Sequence, residues 1–319
     1  MRSAKCGMDS AECELRGAER GMPKGQWSVP GTVRGKVMQV VYEPSAVRHL
    51  CEAIRRGGRT IGLVPTMGFL HEGHLSLMRR ARAENDVLVV SIFVNPTQFG
   101  QGEDFDSYPR DLQGDLVRLE GVGADVVFAP RAESIYPKRY RTFVEVVEIT
   151  EWLCGASRPG HFRGVATVVT KLFNLMKPHR AYFGQKDYQQ SVVIRRLVAD
   201  LNLDLEIIVM PTVREFDGLA MSSRNARLTH DQRRAALVLY RSLRRSEEQI
   251  KGGERNATII LEGMRAIIEA EPLAKVDYVA LCNPETLEPL DSIDGPTLAA
   301  VAVRFGHTRL IDNILIAAP

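Results

Sequence analysis

Hydrophobic and polar positions switch between two periods along this chain, and the switching predicts alternating helices and strands. From Pro44 to Arg56 apolar residues recur at helical spacing, with Pro44 suited to a first turn and Gly57 to a stop. The apolar run 60–65 has strand length, and a glycine-rich turn leads from it to a helical pattern over 75–83. This stretch therefore predicts a helix, a strand, a loop and a second helix.

The same alternation continues as far as Met210. Short apolar runs predict strands at 87–94, 125–128, 181–183 and 205–210. Amphipathic runs between them predict helices at 112–119, 165–176 and 191–198. Apolar strands that alternate with helices are typical of a parallel sheet covered on both faces. We therefore expect an α/β fold for residues 37–212.

The regions on either side of this domain have different patterns. After Pro211, helical spacing over 232–250 and 257–271 is followed by strand-like runs at 276–281, 298–305 and 310–316. We expect a smaller α+β domain over 213–319. Residues 1–36 contain eight Gly or Pro positions and no periodicity, so they cannot bury enough apolar surface to offset chain ordering. We expect them to be a flexible tail.

Composition narrows the class of protein. The 42 Lys and Arg residues nearly balance 39 Asp and Glu residues, and a net charge of +3 gives no reason to expect a nucleic-acid partner. The five cysteines contain no C-x-x-C pair, which argues against a disulfide framework and favours a reducing, cytoplasmic compartment. No apolar run approaches the roughly 20 residues of a membrane-spanning helix, so we expect no membrane partner.

The segment 65–74 joins a predicted strand to a predicted helix. Gly68 and Gly73 allow the backbone to approach a ligand closely, and the helix N-terminus beyond them favours phosphate oxygens. His71 and His74, three residues apart, can both donate hydrogen bonds to charge that develops on an α-phosphate. The alternative is a structural histidine beside an ordinary glycine turn, but two histidines in this setting favour function.

Two later segments add charged groups and hydroxyls. Lys186 follows a predicted strand, where it can bind phosphate, and Asp187 can accept a ribose hydrogen bond or cap the next helix. A solvated lysine and a simple cap are the alternative. Ser222, Ser223 and Arg224 lie in a glycine-hinged loop that can close over a triphosphate, unless they form only a surface turn.

Neutral amides and one carboxylate complete the candidate chemistry. Asn95 and Gln98 follow a predicted strand, and Gln190 lies one helical turn after Asp187. Such amides suit the recognition of hydroxyl and carboxylate groups, although each can equally be a structural cap. The acidic stretch from Glu103 to Asp115 is a candidate for holding Mg²⁺ through water, with Asp115 as the assigned residue. A solvated acidic surface is the more common explanation for such a stretch.

Taken in order, five segments resemble the pantothenate synthetase (pantoate–beta-alanine ligase) family. They are PTMGFLHEGH at 65–74, FVNPTQF at 93–99, RPGHFRGV at 158–165, YFGQKDYQQ at 182–190 and PTVREFDGLAMSSRN at 211–225. The resemblance runs from about Val37 to Ile316. Five matches in the right order are far more specific than any one of them.

The resemblance implies a Rossmann-type nucleotidyltransferase domain, a smaller C-terminal lid domain and a homodimer formed through the N-terminal domain. It implies ATP as cosubstrate, Mg²⁺, and pantoate and β-alanine as substrates. Pantoate would attack the α-phosphorus of ATP to give pantoyl adenylate and pyrophosphate, and β-alanine would then displace AMP. The motifs contain no activated Ser or Cys nucleophile, which agrees with a reaction that relies on positioning and charge stabilisation.

The resemblance also assigns roles to positions of this sequence. The implied catalytic residues are His74 with its partner His71, Lys186, Ser222, Ser223 and Arg224. The nucleotide would contact Met67, Gly68, Phe69, Leu70, His71, Glu72, Gly73, His74, Gly184, Gln185, Lys186, Asp187, Val213, Met221, Ser222, Ser223 and Arg224. The substrates would contact Pro65, Thr66, Met67, Asn95, Gln98 and Gln190. Asp115 is the metal candidate.

Two alternatives use parts of the same sequence. Another small-molecule adenylyltransferase of this superfamily, or a tRNA synthetase fragment, would share the histidine motif but not the NPTQ and GQKDYQQ segments. Arginines over 233–245 would form a basic helix face in a nucleic-acid-binding protein. A solvated helix face is the simpler interpretation, because Glu247 and Glu248 follow immediately.

Overall fold

The chain forms a large parallel sheet, as seen in a computed structural model that describes residues 26–28 and 38–317. Its strands are β1 (Gln26–Ser28), β2 (Gln39–Val41), β3 (Ile61–Thr66), β4 (Val87–Ile92), β5 (Val126–Phe128), β6 (Arg180–Gly184) and β7 (Glu206–Met210). They lie in the order β1-β2-β5-β4-β3-β6-β7, and every neighbouring pair from β2 to β7 is parallel. The predicted α/β fold is confirmed.

Helices cover both faces of this sheet, because neighbouring residues of a strand point in opposite directions. The helices of this part are α1 (Pro44–Arg56), α2 (Glu72–Glu84), α3 (Leu112–Gly121), α4 (Ala132–Ile135), α5 (Leu153–Ser157), α6 (His161–Met176) and α7 (Tyr188–Asp200). Leu63 and Phe183 are buried together with residues of α1, α6 and α7. Their neighbours Val64 and Tyr182 are buried together with residues of α2 and α3.

A second, smaller core lies beyond β7. Helices α8 (His230–Ala235), α9 (Val238–Lys251) and α10 (Ala257–Glu269) pack on an antiparallel sheet of β8 (Ala274–Cys282), β9 (Thr297–Phe305) and β10 (Thr308–Ile316). Leu243, Met264 and Val301 are fully buried in this core. The predicted α+β unit is confirmed, and a boundary between residues 212 and 213 stays a prediction. Within the described residues, no helix is long and apolar enough to cross a membrane.

Three helices begin earlier than hydrophobic spacing predicts, and motif residues form their first turns. The helices α2, α6 and α7 begin at Glu72, His161 and Tyr188, three or four residues before their predicted starts. The N–H groups of a first turn have no partner within the helix, so polar residues are favoured there and hydrophobic spacing does not reveal them. His74 and His161 therefore lie on helices rather than in loops.

Other predicted elements differ from the observed ones: one predicted helix is divided into two, and one strand was missed because it is short. The single helix predicted over 232–250 is divided into α8 and α9 at Ala236 and Leu237, and buried apolar residues continue across the break. The strand β2 was missed because three residues are too few to show a period of two. The strand β1 lies within the predicted flexible tail and pairs antiparallel with β2. The rest of that tail, residues 1–25 and 29–36, lies outside the described residues.

A glycine allows α6 to pack directly against the loop that follows β4. The Gly164 carbonyl oxygen accepts a 3.1 Å hydrogen bond from the side-chain amide of Asn95. A Cβ atom at Gly164 would lie 2.2 Å from the carbonyl oxygen of Thr97, far inside contact distance. The close approach of α6 to this loop therefore requires glycine at position 164.

Gly164→Ala should lower the free energy of unfolding by roughly 1–3 kcal/mol, because either α6 or the loop has to shift. Gly121→Ala, at the end of α3, is the matched control, since no atom lies within 4 Å of a Cβ there. The control should be neutral or stabilising by up to about 1 kcal/mol. Urea unfolding followed by circular dichroism measures both, and equal effects would contradict the packing argument.

Candidate active site

The carboxyl ends of β3, β4, β6 and β7 open into one cavity of about 1100 Å³. Thr66, Asn95, Gly184 and Pro211 line it from the ends of these strands or just beyond them. The C-terminal unit contributes residues of β9 and β10 to the same lining. Ligands of open parallel α/β sheets bind at this edge, so the position marks a candidate active site.

Most of the predicted site residues meet in this cavity. Those that line it are Pro65, Thr66, Met67, His71, Gly73, His74, Asn95, Gln98, Gly184, Lys186, Asp187, Gln190, Val213, Met221, Ser222, Ser223 and Arg224. The predicted residues outside the lining are Gly68, Phe69, Leu70, Glu72, Gln185 and Asp115. Glu72, for example, forms an exposed ion pair with Arg79 on the surface of α2.

The two motif histidines contact each other at the start of α2. Their ring centroids lie 4.1 Å apart, with 37° between the planes. The backbone N–H of His71, the residue that caps α2, donates a 3.3 Å hydrogen bond to Nδ1 of His74. Because Nδ1 of His74 accepts, the proton of a neutral His74 ring is on Nε2. His74 is therefore prepared to donate a hydrogen bond from Nε2.

Both imidazoles are neutral near pH 7. Burial lowers the pKa of His71 to about 4, and the positive charge of Lys186 acts in the same direction. Burial also holds the pKa of His74 well below its usual value, with smaller contributions from His71 and Lys186. The pair therefore offers hydrogen-bond donors without adding positive charge, while Lys186 supplies charge as an ammonium group.

Asp115 supports the glycine-rich turn that precedes these histidines. Its two carboxylate oxygens accept hydrogen bonds of 2.7 Å from the backbone N–H groups of Phe69 and Leu70. Gly68 and Phe69 both have positive φ angles, 82° and 52°, and for Phe69, which has a Cβ atom, this conformation is unfavourable without support from outside the turn. Asp115 is 1% exposed, and burial raises its pKa above the usual value. These contacts indicate a structural role, and metal binding by Asp115 stays a prediction.

The loop of the C-terminal unit that contains the predicted nucleotide residues is bound to the N-terminal unit at two points. The Ser223 hydroxyl donates a 3.0 Å hydrogen bond to the carbonyl oxygen of Phe69. The Arg224 guanidinium binds both carboxylate oxygens of Asp104, at 2.8 and 3.0 Å, and Arg227 donates to the same carboxylate at 2.6 Å. Asp104 lies in the acidic stretch considered for Mg²⁺ but was not singled out as a site residue, since its partners lie 120 or more positions away.

Arg158 and His161 were also missed as site residues, although they belong to the quoted RPGH segment. Both line the cavity. Arg158 pairs with Glu103 at 2.6 Å and donates to the carbonyl oxygen of Gln98 at 3.2 Å. His161 donates from Nδ1 to the same carbonyl at 2.8 Å, and its Nε2 lies 3.0 Å from the Arg158 guanidinium. The backbone of Gln98 is therefore held by two side chains.

Amides and apolar side chains share another part of the cavity lining. The Gln98 side chain accepts a 3.0 Å hydrogen bond from Asn95 and donates to the Met67 sulfur at 3.3 Å. Apolar side chains beside them are Phe93, Phe162, Val165, Val168, Val169 and Leu172. Gln190 also lines the cavity and is half-buried. This region suits a small molecule with both a hydrocarbon part and polar ends.

Comparisons with known proteins agree on one family. The family model described as pantoate-beta-alanine ligase matches residues 39–315. The chain is 57% identical to the pantothenate synthetase of Moorella thermoacetica over 279 residues, which cover 88% of this chain and 99% of that protein. It is 59% identical to the pantothenate synthetase of Pelotomaculum thermopropionicum over 280 residues, with the same coverage of each chain. The chain belongs to the pantoate–beta-alanine ligase family.

Solved structures of the family share the fold. Pantothenate synthetase from Thermus thermophilus matches with a TM-score of 0.83 at 47% identity, covering 87% of this chain and 99% of that one. The pantoate-beta-alanine ligase from Francisella tularensis, complexed with beta-gamma ATP and beta-alanine, matches with a TM-score of 0.73 at 37% identity. That match covers 87% of this chain and 97% of the other. The resemblance inferred from the motifs is therefore confirmed.

The free energy of unfolding should fall as the pH drops from about 6.5 toward 4. His71 and His161 both have pKa values near 4 in the folded chain, His161 because of burial and then of Arg158. The unfolded chain takes up protons at its ordinary histidine pKa of about 6.5, while the folded chain does not. Between these two pKa values, each such histidine lowers the free energy of unfolding by up to about 1.4 kcal/mol for each unit by which the pH falls. This dependence is the slope of stability against pH.

His161→Gln should reduce this slope, because glutamine does not titrate. Urea unfolding at several pH values between 8 and 5 measures it for both proteins. Above pH 6.5 the stability of each protein should be nearly independent of pH as far as these histidines are concerned. A variant with the same slope as the unchanged chain would mean that His161 is not held neutral by its surroundings.

Proposed function

We propose that this chain joins (R)-pantoate to β-alanine, converting ATP to AMP and pyrophosphate through a bound pantoyl adenylate. The proposal is carried by the convergence of His71, His74, Lys186 and Arg224, from three separate segments, on one cavity. The names of the relatives support the substrates, and the Francisella tularensis complex supports ATP and β-alanine. ATP is a cosubstrate in this proposal rather than a resident cofactor.

In the first step, a carboxylate oxygen of pantoate attacks the α-phosphorus of ATP and the bond to pyrophosphate breaks. Negative charge increases on the phosphate oxygens as this happens. We assign His74 as the donor to these oxygens, since hydrogen bonding to His71 leaves the proton on its Nε2. Lys186 contributes a positive charge, and Ser222, Ser223 and Arg224 bind the nucleotide, with the planar guanidinium of Arg224 suited to donate two parallel hydrogen bonds to phosphate oxygens.

The apolar lining and the amides suit pantoate, which has a dimethyl carbon between its hydroxyl and carboxylate groups. Phe93, Val165 and Leu172 offer apolar surface in the same cavity as the amides of Gln98 and Gln190. In the second step, the β-alanine amine attacks the acyl carbon and AMP leaves with the carboxyl oxygen that had bound phosphorus. Water hydrolyses an acyl adenylate. A cavity lined by both units of the chain would limit the access of water to this intermediate.

Magnesium is best explained as part of the ATP complex. Among the described residues, no group of three or more His, Cys, Asp or Glu side chains is arranged to hold a metal ion. Mg²⁺ needs only one or two carboxylates when phosphates and water supply the other ligands, so the residues fit such a complex. Asp115 remains the predicted metal residue, and we propose Asp187, a half-exposed carboxylate at the cavity, as a second candidate for this contact. When bound, the ion would neutralise phosphate charge.

An assay with ATP, Mg²⁺ and pantoate, with and without β-alanine, tests the function. We expect pantothenate and AMP only when every component is present, and loss of product when Mg²⁺ is chelated. Pyrophosphate release that does not depend on pantoate would indicate another adenylyltransferase of this superfamily.

His74→Ala should lower turnover by at least about a hundredfold, in line with the loss of one preorganised donor. His49→Ala, which replaces an exposed histidine on α1, is the matched control and should keep full activity. Steady-state assays measure both, and circular dichroism checks the fold. Full activity of His74→Ala would reduce this histidine to a structural role.

We also infer a homodimer formed through the N-terminal unit, in a cytoplasmic enzyme whose described cysteines are free thiols. Residues 141–147 belong to no helix or strand, and exposed and half-buried positions alternate from Phe143 to Val147. The backbone N–H groups of Thr142, Phe143 and Glu145 have no hydrogen-bond partner among the described residues, and Val147 is 65% exposed. An edge with free N–H groups and exposed apolar side chains favours pairing with a second chain.

Val147→Lys should weaken this dimer, since it adds charge to the edge that would be buried. Val117→Lys is the matched control, because Val117 is 70% exposed and belongs to α3, a different element of the same unit. Sedimentation velocity over a range of concentrations measures the mass. A dimer that survives Val147→Lys, or a monomer in the unchanged chain, would contradict the inference.

A further inference from the structure

One residue of the C-terminal sheet holds the turn that contains Lys186. Asn313, in β10, donates its two side-chain amide hydrogens to the carbonyl oxygens of Gln185 and Lys186, at 3.0 and 2.8 Å. Asn313 is 4% exposed, so water competes little for these hydrogen bonds. The contact joins residues 127 or more positions apart, and it links the two units of the chain.

Asn313 is itself held rigidly. Its backbone N–H donates a 2.8 Å hydrogen bond to the neighbouring Asp312 carboxylate. Arg214 binds both oxygens of Asp312, at 2.6 and 3.0 Å, and also the Asn313 carbonyl oxygen at 3.3 Å. Asp312 is 2% exposed, and Asn313 is paired with Ala300 across β9 and β10. These three residues, Asn313, Asp312 and Arg214, form an anchor that is fixed to the core of the C-terminal sheet.

The same anchor reaches a second segment of the candidate nucleotide site. Arg214 also donates a 3.0 Å hydrogen bond to the carbonyl oxygen of Gly218. The residues on either side of this short loop are joined, since the N–H of Met221 donates to the carbonyl oxygen of Val213 at 3.0 Å. One point on β10 thus sets the distance between the Lys186 turn and the Val213–Met221 segment.

We propose that Asn313 is a positioning residue for Lys186, which it places relative to the nucleotide-binding loop of the C-terminal unit. A lysine side chain is long and flexible, so its ammonium group is placed only as well as its backbone is held. Small errors in the placement of such a charge weaken both binding and reaction. This inference rests on the proposed function only in that ATP is taken as the ligand of Lys186.

Asn313→Ala should weaken ATP binding about tenfold, a typical loss for two shielded hydrogen bonds. Asn256→Ala is the matched control, since Asn256 caps α10 in the same unit without contacting residues 184–187. That control should lose some stability and keep its ATP affinity. Isothermal titration with ATP measures both. Asn313→Leu, which keeps the approximate size and removes the donors without adding charge, replaces Asn313→Ala if the alanine variant fails to fold.

A double-mutant cycle tests whether Asn313 acts through Lys186. In a Lys186→Met background, Asn313→Ala should change the ATP dissociation constant by less than about twofold, because the group it positions is gone. A tenfold loss in both backgrounds would mean that the two residues act independently and would overturn the proposal.

Hydrogen exchange tests the contact without substrate. The peptide covering residues 184–190 should exchange at least about threefold faster in Asn313→Ala than in Asn256→Ala, because the turn has lost its external hydrogen bonds. Unchanged exchange there would overturn the proposal. Failure of the unchanged chain to make pantothenate would instead contradict the proposed function, while this exchange experiment would still decide the role of Asn313.

Discussion

Parallel pairing from β2 to β7 is the constraint on which the rest of the molecule depends. These strands are covered on both faces, so they are apolar along most of their length and polar groups follow their carboxyl ends. Since those ends meet at one edge, the segments that start at Thr66, Asn95 and Gly184 must converge there. The location of the cavity follows from the direction of the strands rather than from any single motif.

Charge in the cavity is balanced largely within the chain itself. Arg224 and Arg227 share the Asp104 carboxylate, and Arg158 pairs with Glu103. A buried cation without a counter-charge is strongly destabilising, so these carboxylates permit several arginines to lie close together. A phosphate that binds Arg224 therefore competes with Asp104. The histidines avoid this competition, because burial keeps them neutral and they contribute donors only.

Hydrophobic pattern and motif order together predicted much of the fold, and most of the site residues that they predicted line the cavity. The apolar strands could be recognised in the sequence because both of their faces are buried. Leu63 and Val64, neighbours in β3, are buried on opposite faces of the sheet. The starts of α2 and α6 were missed because polar, motif-bearing first turns lack hydrophobic spacing. Asp104, Arg158 and Asn313 were missed because each acquires its role from a partner far away in the sequence.

The sequence alone therefore determined the order of most strands and helices, the family, and the residue types available for catalysis, since these depend on local periodicity and on short motifs. The tertiary structure decided which side chains contact one another and in what state. It paired His71 with His74 in a buried, neutral arrangement, turned Asp115 toward the backbone of Phe69 and Leu70, and joined Asn313 to the Lys186 turn. Burial and hydrogen bonding act through space between distant segments, so the spacing of residues along the chain does not reveal them.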